Sequence, residues 1–279
     1  MSPAVPRADW AIGVDIGGTG IKASLIDPVA GELAFKRRRI LTPQPATPEA
    51  VVATVSEVVQ QVIDKALEKD IIADAAELDH APIGVAFPGV LKDGVVRFAP
   101  NLDQSWIGEH LPEHLEKATG RSCYVLNDAD AAGLAEMTFG AGRDYRKQTV
   151  ILTTLGTGIG TALFANGQLV PFTELGHIEM NGADAETQAA ESVRTREGLS
   201  FEQWAERLQQ YYAQIELLLH PDLIIVGGGV SKEHESFLPL LKLEAPIRPA
   251  ELRNAAGIVG AGYSAARAGR TKVKKNTAK

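Results

Sequence analysis

The sequence predicts an α/β protein built from two similar halves. Predicted strands alternate with predicted helices and hairpins along most of the chain, which is typical of layered α/β folds. A glycine-rich turn between two apolar runs occurs near the start and again past the middle, and both turns contain the letters GTGI, at 18–21 and at 156–159. Since a repeated supersecondary unit indicates an internal duplication, we expect two domains with a cleft between them. Chance similarity of two glycine-rich hairpins is the alternative.

Composition and charge are those of an ordinary globular protein. The chain has 279 residues, 45% of them hydrophobic, and a net charge of −7, so no overall attraction to nucleic acid or to a membrane surface is expected. The single cysteine, Cys123, excludes a disulfide framework and a cysteine zinc cluster within the chain. No run reaches the roughly 18 apolar residues of a membrane span. The first nine residues lack the apolar core of a secretory signal, so a cytoplasmic location is expected.

The predicted elements follow from apolar periodicity and from turn residues. The first hairpin has strands at 10–16 and 21–27 around a tip at 17–20, and a third strand is expected over 33–41. Thr47, Pro48 and Glu49 indicate a helix start, after which apolar residues recur at helical spacing. Further strands are predicted at 83–87, 95–98, 124–126, 150–155, 159–164 and 223–226, and further helices at 111–118, 129–139, 200–220, from about 231, and at 255–268. The basic tail, 269–279, is expected to be disordered.

The tip of the first hairpin is a candidate phosphate site. Its residues Gly17, Gly18, Thr19 and Gly20 allow a sharp turn and leave backbone N–H groups open to an anion, and Lys22 adds a cation. Asp15, at the end of the first strand, could hold Mg²⁺ through water, because Mg²⁺ prefers oxygen ligands and keeps its waters. A tight hairpin without a ligand is the alternative.

The segment 127–130, with the sequence NDAD, lies at a strand end before a predicted helix. Ligands in open α/β sheets bind beyond the carboxyl ends of strands, so a carboxylate here could accept a proton from a hydroxyl that attacks a phosphoryl group. We assign that role to Asp128 and a helix-capping role to Asp130; a cap alone is the alternative for either.

Three other groups of residues could bind ligands. Glu174, His177 and Glu186 suit sugar hydroxyls, because such side chains donate or accept as a hydroxyl requires, although a surface loop is the alternative. Gly156, Thr157 and Gly158 repeat the first tip and could hold a second stretch of phosphate. Glycines 227–229 precede the helix predicted from about 231, and Gly228 and Gly229 there suit an anion or a ribose.

These pieces, in this order, resemble the ROK family of sugar kinases in the actin-like/hexokinase superfamily, from about Trp10 to Arg267. The matching segments are DIGGT at 15–19 with Lys22, ND at 127–128, LGTGIG at 155–160, ELGH at 174–177 and IVGGG at 225–229. Many family members carry a cysteine cluster for structural zinc after the ELGH-like segment. Residues 180–190 contain no cysteine, so no structural zinc is expected. The chain is instead similar to the polyphosphate glucokinase branch in FTELGH at 172–177, GADAE at 182–186 and PAELRN at 249–254.

The resemblance implies a two-domain actin-like ATPase (ribonuclease H-like) fold with the active site in the interdomain cleft. A small domain over 9–126, joined by the last helix at about 255–268, would be followed by a larger domain over 127–254. The implied reaction is phosphoryl transfer from inorganic polyphosphate, and from ATP, to the 6-hydroxyl of glucose, with mannose accepted by some members and Mg²⁺ as cofactor. A homodimer is the implied assembly.

The resemblance also implies a role for each site residue. Asp128 would be the catalytic base. The implied sugar-binding residues are Asn101, Asn127, Asp128, Glu174, His177 and Glu186. The implied phosphate- and nucleotide-binding residues are Asp15, Gly17, Gly18, Thr19, Gly20, Lys22, Gly156, Thr157, Gly158, Gly228 and Gly229.

Two alternatives and one question stay open at this point. A strictly ATP-dependent sugar kinase of the same family would keep every motif. A non-enzymatic actin-like ATP-binding scaffold would keep the glycine tips but would not need Glu174, His177 or Asn101. The basic cluster at 36–39, with Lys92 and Arg97, could guide polyphosphate or could form a solvated basic face.

Overall fold

A computed structural model of the chain describes residues 10–100 and 102–277, with side chains as far as 269. The chain divides into two compact units. The first unit contains the described residues up to Ala131 together with those from Gly257 onward, and the second is Ala132–Ala256. The chain therefore passes between the units twice.

The first unit is built on a mixed sheet whose strands follow the order β3-β2-β1-β5-β8, with β4 paired to another part of β2. β1 pairs antiparallel with β2 and parallel with β5, which pairs parallel with β8. A separate ribbon pairs β6 with β7. The strands are β1 (Ala11–Gly17), β2 (Gly20–Asp27), β3 (Glu32–Leu33), β4 (Arg38–Ile40), β5 (Ile83–Phe87), β6 (Val90–Lys92), β7 (Val95–Phe98) and β8 (Cys123–Asn127).

Helices cover both faces of this sheet. α1 (Pro48–Glu68) packs on β2 through a valine-rich stripe, and the Thr47 side chain caps it by accepting from the Ala50 amide. α2 (Leu111–Thr119) ends at a left-handed Gly120. The last helix, α7 (Ala256–Thr277), lies against β1 and β5 so closely that a Cβ at Gly13 would overlap the Ile258 carbonyl. Gly84 of β5 meets the Ala261 carbonyl of α7 in the same way, so both strands carry glycine where the helix backbone touches them.

The second unit repeats the strand order of the first. Its sheet follows the order β11-β10-β9-β14-β15. As in the first unit, the two strands of a hairpin, β9 and β10, pair antiparallel, and the first of them pairs parallel with the next strand, β14, which pairs parallel with β15. A separate ribbon pairs β12 with β13. The strands are β9 (Val150–Leu155), β10 (Ile159–Ala165), β11 (Gln168–Val170), β12 (Glu179–Met180), β13 (Ala183–Asp184), β14 (Leu223–Gly227) and β15 (Ile247–Pro249). The shared order supports a duplication.

One long helix supports this second sheet. α6 (Phe201–Leu219) begins with a capping box formed by Ser200 and Gln203, and its buried stripe contains Trp204 and Tyr212. The Tyr212 hydroxyl is hydrogen-bonded at 2.7 Å to the Thr153 hydroxyl of β9, so these two buried hydroxyls are paired. The other helices are α3 (Asp128–Phe139), α4 (Glu186–Ala189) and α5 (Glu191–Glu197).

Three predicted elements differ from the structure. The single strand expected over 33–41 is two short strands, β3 and β4, because the chain bends between them. The helix expected from about 231 is an irregular 3₁₀ segment, Gly229–Ser236, with a kink at Glu233. The tail expected to be disordered over 269–279 is helical to Thr277, since 270–277 contains neither glycine nor proline. Within the described part of the chain, no helix combines the length and apolarity of a membrane span.

Candidate active site

The first glycine tip is an open two-residue turn. Gly17 and Gly20 are cross-strand partners, and Gly18 and Thr19 form the exposed loop between them. A Cβ at Gly18 would meet no atom within 4 Å, so the tip faces open space. The Thr42 hydroxyl donates to the Gly17 carbonyl and holds the base of the turn. The tip can therefore present backbone N–H groups to an anion, as predicted from its sequence.

Asp15 and Lys22 form an ion pair beside this tip. They are direct partners across β1 and β2, and Lys22 Nζ lies 2.9 Å from Asp15 Oδ2. Both side chains are about one-quarter exposed, so a ligand can reach them. Lys22 donates to Oδ2 of Asp15, so the other carboxylate oxygen, Oδ1, is the atom that could hold a water of Mg²⁺.

Asn127 is the last residue of β8, and Asp128 is the first residue of α3. Asn127 is buried; its Oδ1 accepts from the amides of Ala129 and Asp130 at 2.8 and 3.2 Å, and its Nδ2 donates to the Gly89 carbonyl. Asn127 is thus the side chain that caps α3, and the prediction that Asp130 caps it is wrong. Asp130 lies within the first turn and is buried. Asp128 is half-buried, and its Oδ1 accepts from the Ala129 amide at 2.9 Å.

The sheet register brings Asp128 to the same edge as the first tip. Asp15 of β1 is level with Ala86 of β5, and Ala86 is level with Leu126 of β8. Two strand spacings separate β1 from β8, which is about 10 Å across the sheet. Asp128 and the first glycine tip therefore lie at the carboxyl ends of parallel strands of one sheet, with β5 between them, and ligands of α/β proteins bind at such an edge.

The second tip and the glycines after β14 come together in the other unit. Leu155 pairs with Ile159, and the Gly156 amide donates to the Gly158 carbonyl at 3.1 Å. β14 runs parallel to β9 and ends level with Thr154. Gly228 has a φ of 86° and lies so close to Leu155 that a Cβ would overlap its carbonyl. Gly156–Gly158 and Gly228–Gly229 thus line one sheet edge, without the α-helix N-terminus predicted there.

Glu186 links the second tip to the candidate sugar site. Its Oε2 accepts from the Ile159 amide at 3.1 Å, and a Cβ at Gly158 would overlap that oxygen. A side chain at 158 would therefore displace the Glu186 carboxylate from this position. Because the Glu186 side chain is 29% exposed, it can also contact a ligand.

His177 is held by two carboxylates. Its Nδ1 lies 3.0 Å from Asp184 Oδ2 and 3.8 Å from Glu186 Oε1. Burial lowers the pKa of His177, but the Asp184 hydrogen bond and the charges of Glu186, Asp184 and Glu174 outweigh burial and raise the pKa above its ordinary value. The Asp184 hydrogen bond at Nδ1 fixes the orientation of the His177 ring.

Glu174 completes this group, since its charge interacts with those of His177 and Glu186. Burial raises the pKa of Glu174, Glu186 raises it further, and His177 opposes the shift. The structure thus brings together Glu174, His177, Glu186 and the second tip in one unit. Asn101, predicted to contact the sugar, lies outside the described residues.

Two acids that hold other residues of this unit in place were not predicted from the sequence. Asp184 orients His177 from seven residues away, and the only sequence signal was its place in the GADAE segment. Glu136, fully buried at the end of α3, accepts from the amides of Ala141, Glu251 and Leu252 at 2.9, 3.1 and 2.7 Å. It anchors the PAELRN segment to α3.

Among the described residues, no group of three or more His, Cys, Asp or Glu side chains is arranged to hold a metal ion directly. A water-mediated ion needs fewer protein ligands, so a carboxylate such as Asp15 would fit Mg²⁺ bound mainly to phosphates and water.

Comparison with known proteins supports one family. Residues 11–194 match the ROK family. The chain is 42% identical to a polyphosphate glucokinase from Mycobacterium tuberculosis (strain CDC 1551 / Oshkosh), over 93% of this chain and 92% of the relative. The crystal structure of an inorganic polyphosphate/ATP-glucomannokinase from Arthrobacter sp. strain KM matches with a TM-score of 0.84 and 47% identity, over 93% of this chain and 99% of that one.

A second solved structure extends the similarity to a relative that was crystallised with glucose and AMPPNP. A ROK family glucokinase from Streptomyces griseus, in complex with glucose and AMPPNP, matches with a TM-score of 0.74 and 27% identity, over 92% of this chain and 99% of that one. The family and the α/β fold predicted from the motifs are confirmed. The chain belongs to the ROK family.

Proposed function

We propose that this chain is a kinase that phosphorylates glucose at its 6-hydroxyl, with inorganic polyphosphate and ATP as donors. The observation that carries the proposal is the 42% identity to a polyphosphate glucokinase over 93% of the chain. The 47% identity to a polyphosphate/ATP-glucomannokinase supports both donors and makes mannose a second candidate sugar.

In the proposed reaction, Asp128 accepts the proton of the attacking sugar hydroxyl. The hydroxyl oxygen forms a bond to the terminal phosphorus, and the bond from that phosphorus to the bridging oxygen breaks. The products are glucose 6-phosphate and either polyphosphate shortened by one group or ADP. The position of Asp128 at the end of β8, at the same edge as the first tip, supports this role.

The donor phosphates are assigned to the two glycine tips. Backbone N–H groups at Gly17–Gly20 and Gly156–Gly158, together with the Lys22 ammonium, would hold the phosphate charge. Gly228 and Gly229 are assigned to the nucleoside when ATP is the donor. Mg²⁺, held through water by Asp15, would neutralise the donor when bound. The ion pair of Lys22 with Asp15 supports this assignment, because it places the group proposed to bind phosphate next to the group proposed to hold Mg²⁺.

The sugar is assigned to the group around His177. Glu174 and Glu186 would accept from sugar hydroxyls, and His177 Nε2 would contact a further hydroxyl while Asp184 fixes the ring. Asn127 is assigned to the sugar as well. Since Asn127 already donates to Gly89 and accepts from two amides, its contribution would be to hold Asp128 in place as much as to touch the sugar.

A donor comparison tests the proposal. Purified protein is given glucose and Mg²⁺ with either long-chain polyphosphate or ATP, and glucose 6-phosphate is measured in both reactions. We expect product with both donors. Product with ATP alone would favour a strictly ATP-dependent glucokinase, and product with neither would overturn the proposed function.

Three further parts of the proposal need separate measurements. A rise in melting temperature that saturates with glucose, and that exceeds the rise given by an equal concentration of sucrose, would argue against a non-enzymatic ATP-binding scaffold, because specific binding stabilises only the folded state that binds glucose. The mass of the protein in solution tests the proposed homodimer. Fractionation of cells that produce the protein tests the proposed cytoplasmic location.

A further inference from the structure

The basic residue Arg39 is brought to the first glycine tip by a strand pairing that the sequence did not reveal. β4 pairs antiparallel with β2, and Arg39 is the direct partner of Lys22. Lys22 is in turn the partner of Asp15. Because directly paired residues project to the same side of a sheet, Asp15, Lys22 and Arg39 form one row across three strands.

The Arg39 side chain lies against the tip. Its Nη2 donates to the Thr19 carbonyl at 3.1 Å, and a Cβ at Gly20 would come within 2.5 Å of its Nε. Glycine at 20 therefore leaves the space that the guanidinium occupies. One of the five N–H donors of the guanidinium is used in this contact, and the residue is exposed.

Charge distinguishes Arg39 from Lys22. Lys22 is paired with the Asp15 carboxylate, whereas the contact found for Arg39 in the described chain is to a neutral carbonyl. Arg39 therefore adds an uncompensated positive charge beside the tip. A guanidinium held in place in this way, with donors to spare, is well suited to bind two oxygens of one phosphoryl group.

The position of Arg39 indicates which phosphoryl group it would meet. The sheet order places β4 beyond β2 and β1, on the side away from β8, after which Asp128 follows. The backbone of Arg39 is four strand spacings from β8, about 19 Å across the sheet. The reacting phosphoryl group must lie near Asp128, so a phosphoryl group near Arg39 belongs to a distal part of the chain.

We propose that Arg39 forms a distal subsite for inorganic polyphosphate, binding a phosphoryl group beyond those held by the first glycine tip. The proposal rests on the proposed function. A polyphosphate carries charge at every repeat and can occupy the tip and Arg39 together, whereas ATP ends in an uncharged nucleoside. Arg39 thus favours polyphosphate over ATP.

Three variants test the subsite. Arg39→Ala removes the guanidinium, and Arg39→Lys keeps the charge but removes the two-pronged geometry. Arg38→Ala is the matched control: it removes the same charge from the adjacent residue, which projects to the opposite face and acts electrostatically on Glu68 of α1. Steady-state constants for long-chain polyphosphate, tripolyphosphate and ATP are measured at saturating glucose.

We expect Arg39→Ala to raise KM for long-chain polyphosphate by about tenfold or more, with the ATP KM within about threefold of wild type. KM of Arg39→Lys for long-chain polyphosphate should lie between those of wild type and Arg39→Ala, and both KM values of Arg38→Ala should resemble those of wild type. The subsite would be overturned if Arg39→Ala raised KM equally for polyphosphate and ATP, if Arg38→Ala raised KM for polyphosphate as much as Arg39→Ala, or if Arg39→Ala left KM for polyphosphate unchanged.

A binding measurement separates failure of the subsite from failure of the proposed function. Long-chain polyphosphate is titrated into wild type and Arg39→Ala in the absence of glucose, and heat of binding is recorded. Weaker binding by Arg39→Ala would support the subsite even if no glucose 6-phosphate were formed. Equal binding by the two proteins would overturn the subsite even if the kinase reaction were active.

Discussion

Gly158 lies where the second glycine tip meets the candidate sugar site, so a single methyl group there should affect sugar binding. In Gly158→Ala, the new Cβ would overlap Oε2 of Glu186 and lie 3.2 Å from its Cδ. The Ile159 amide is backbone and cannot move far, whereas the Glu186 side chain is flexible. The carboxylate should therefore rotate away from Ile159 and from the sugar hydroxyl that it is proposed to accept from.

The size of the effect follows from the interaction lost. A hydrogen bond to a charged group contributes about 1.5–3 kcal/mol, and each 1.4 kcal/mol corresponds to about tenfold in affinity. We expect KM for glucose to rise by roughly ten- to a hundredfold, with a smaller effect on KM for either donor. Because the displaced group is partly exposed, the free energy of unfolding should fall by only about 1 kcal/mol, or about 2–4 °C in melting temperature.

Gly156 offers a matched control in the same tip. A Cβ there would meet no atom within 4 Å, so Gly156→Ala adds the same methyl group without touching Glu186. Glucose KM should be unchanged in this variant, although a donor phosphate could meet the methyl group. The reasoning is refuted if Gly158→Ala keeps a wild-type glucose KM, or if Gly156→Ala raises it equally.

Three other predictions concern acids of the site and of the core. Asp184→Asn should lower the pKa of His177 toward its ordinary value, and any titration of His177 seen in glucose KM should then move to lower pH; an unchanged pH profile would contradict the assigned pairing. Burial raises the pKa of Glu136 despite its three amide donors, so the free energy of unfolding should fall as pH rises from about 4.5 through the raised pKa, and Glu136→Gln should remove that slope in denaturant titrations. Asp15→Asn should raise the Mg²⁺ concentration needed for half-maximal turnover, and a chelator should abolish turnover of wild type; an unchanged Mg²⁺ requirement would contradict the role of Asp15.

Most strands could be predicted because glycine and proline mark their ends. Ile83–Phe87 and Val150–Leu155 have the predicted bounds, and both tips lie where the GTGI repeat placed them. The start of α1 was predicted for a similar reason, since the Thr47 cap is a local interaction. Such signals come from residues that are close together in sequence, where steric contacts and local hydrogen bonds determine the backbone conformation.

Contacts between distant segments could not be predicted. The pairing of β4 with β2 brings Arg39 to Thr19, 20 residues away, and no local pattern specifies that pairing. Glu136 accepts from amides more than a hundred residues away, at 251 and 252. The Asp130 cap was mispredicted because α3 begins at Asp128, one residue earlier than expected and directly after the last residue of β8, Asn127, whose side chain becomes the cap.

The most direct test of the account is the turnover of Asp128→Asn on glucose, with polyphosphate and with ATP, compared with wild type. We expect a loss of about 10²–10⁴-fold in kcat with both donors, because the same base serves the same hydroxyl whichever donor is used. A melting temperature near that of wild type would show that the variant is folded. Turnover close to wild type with either donor would contradict the central claim that Asp128 takes the proton of the attacking hydroxyl.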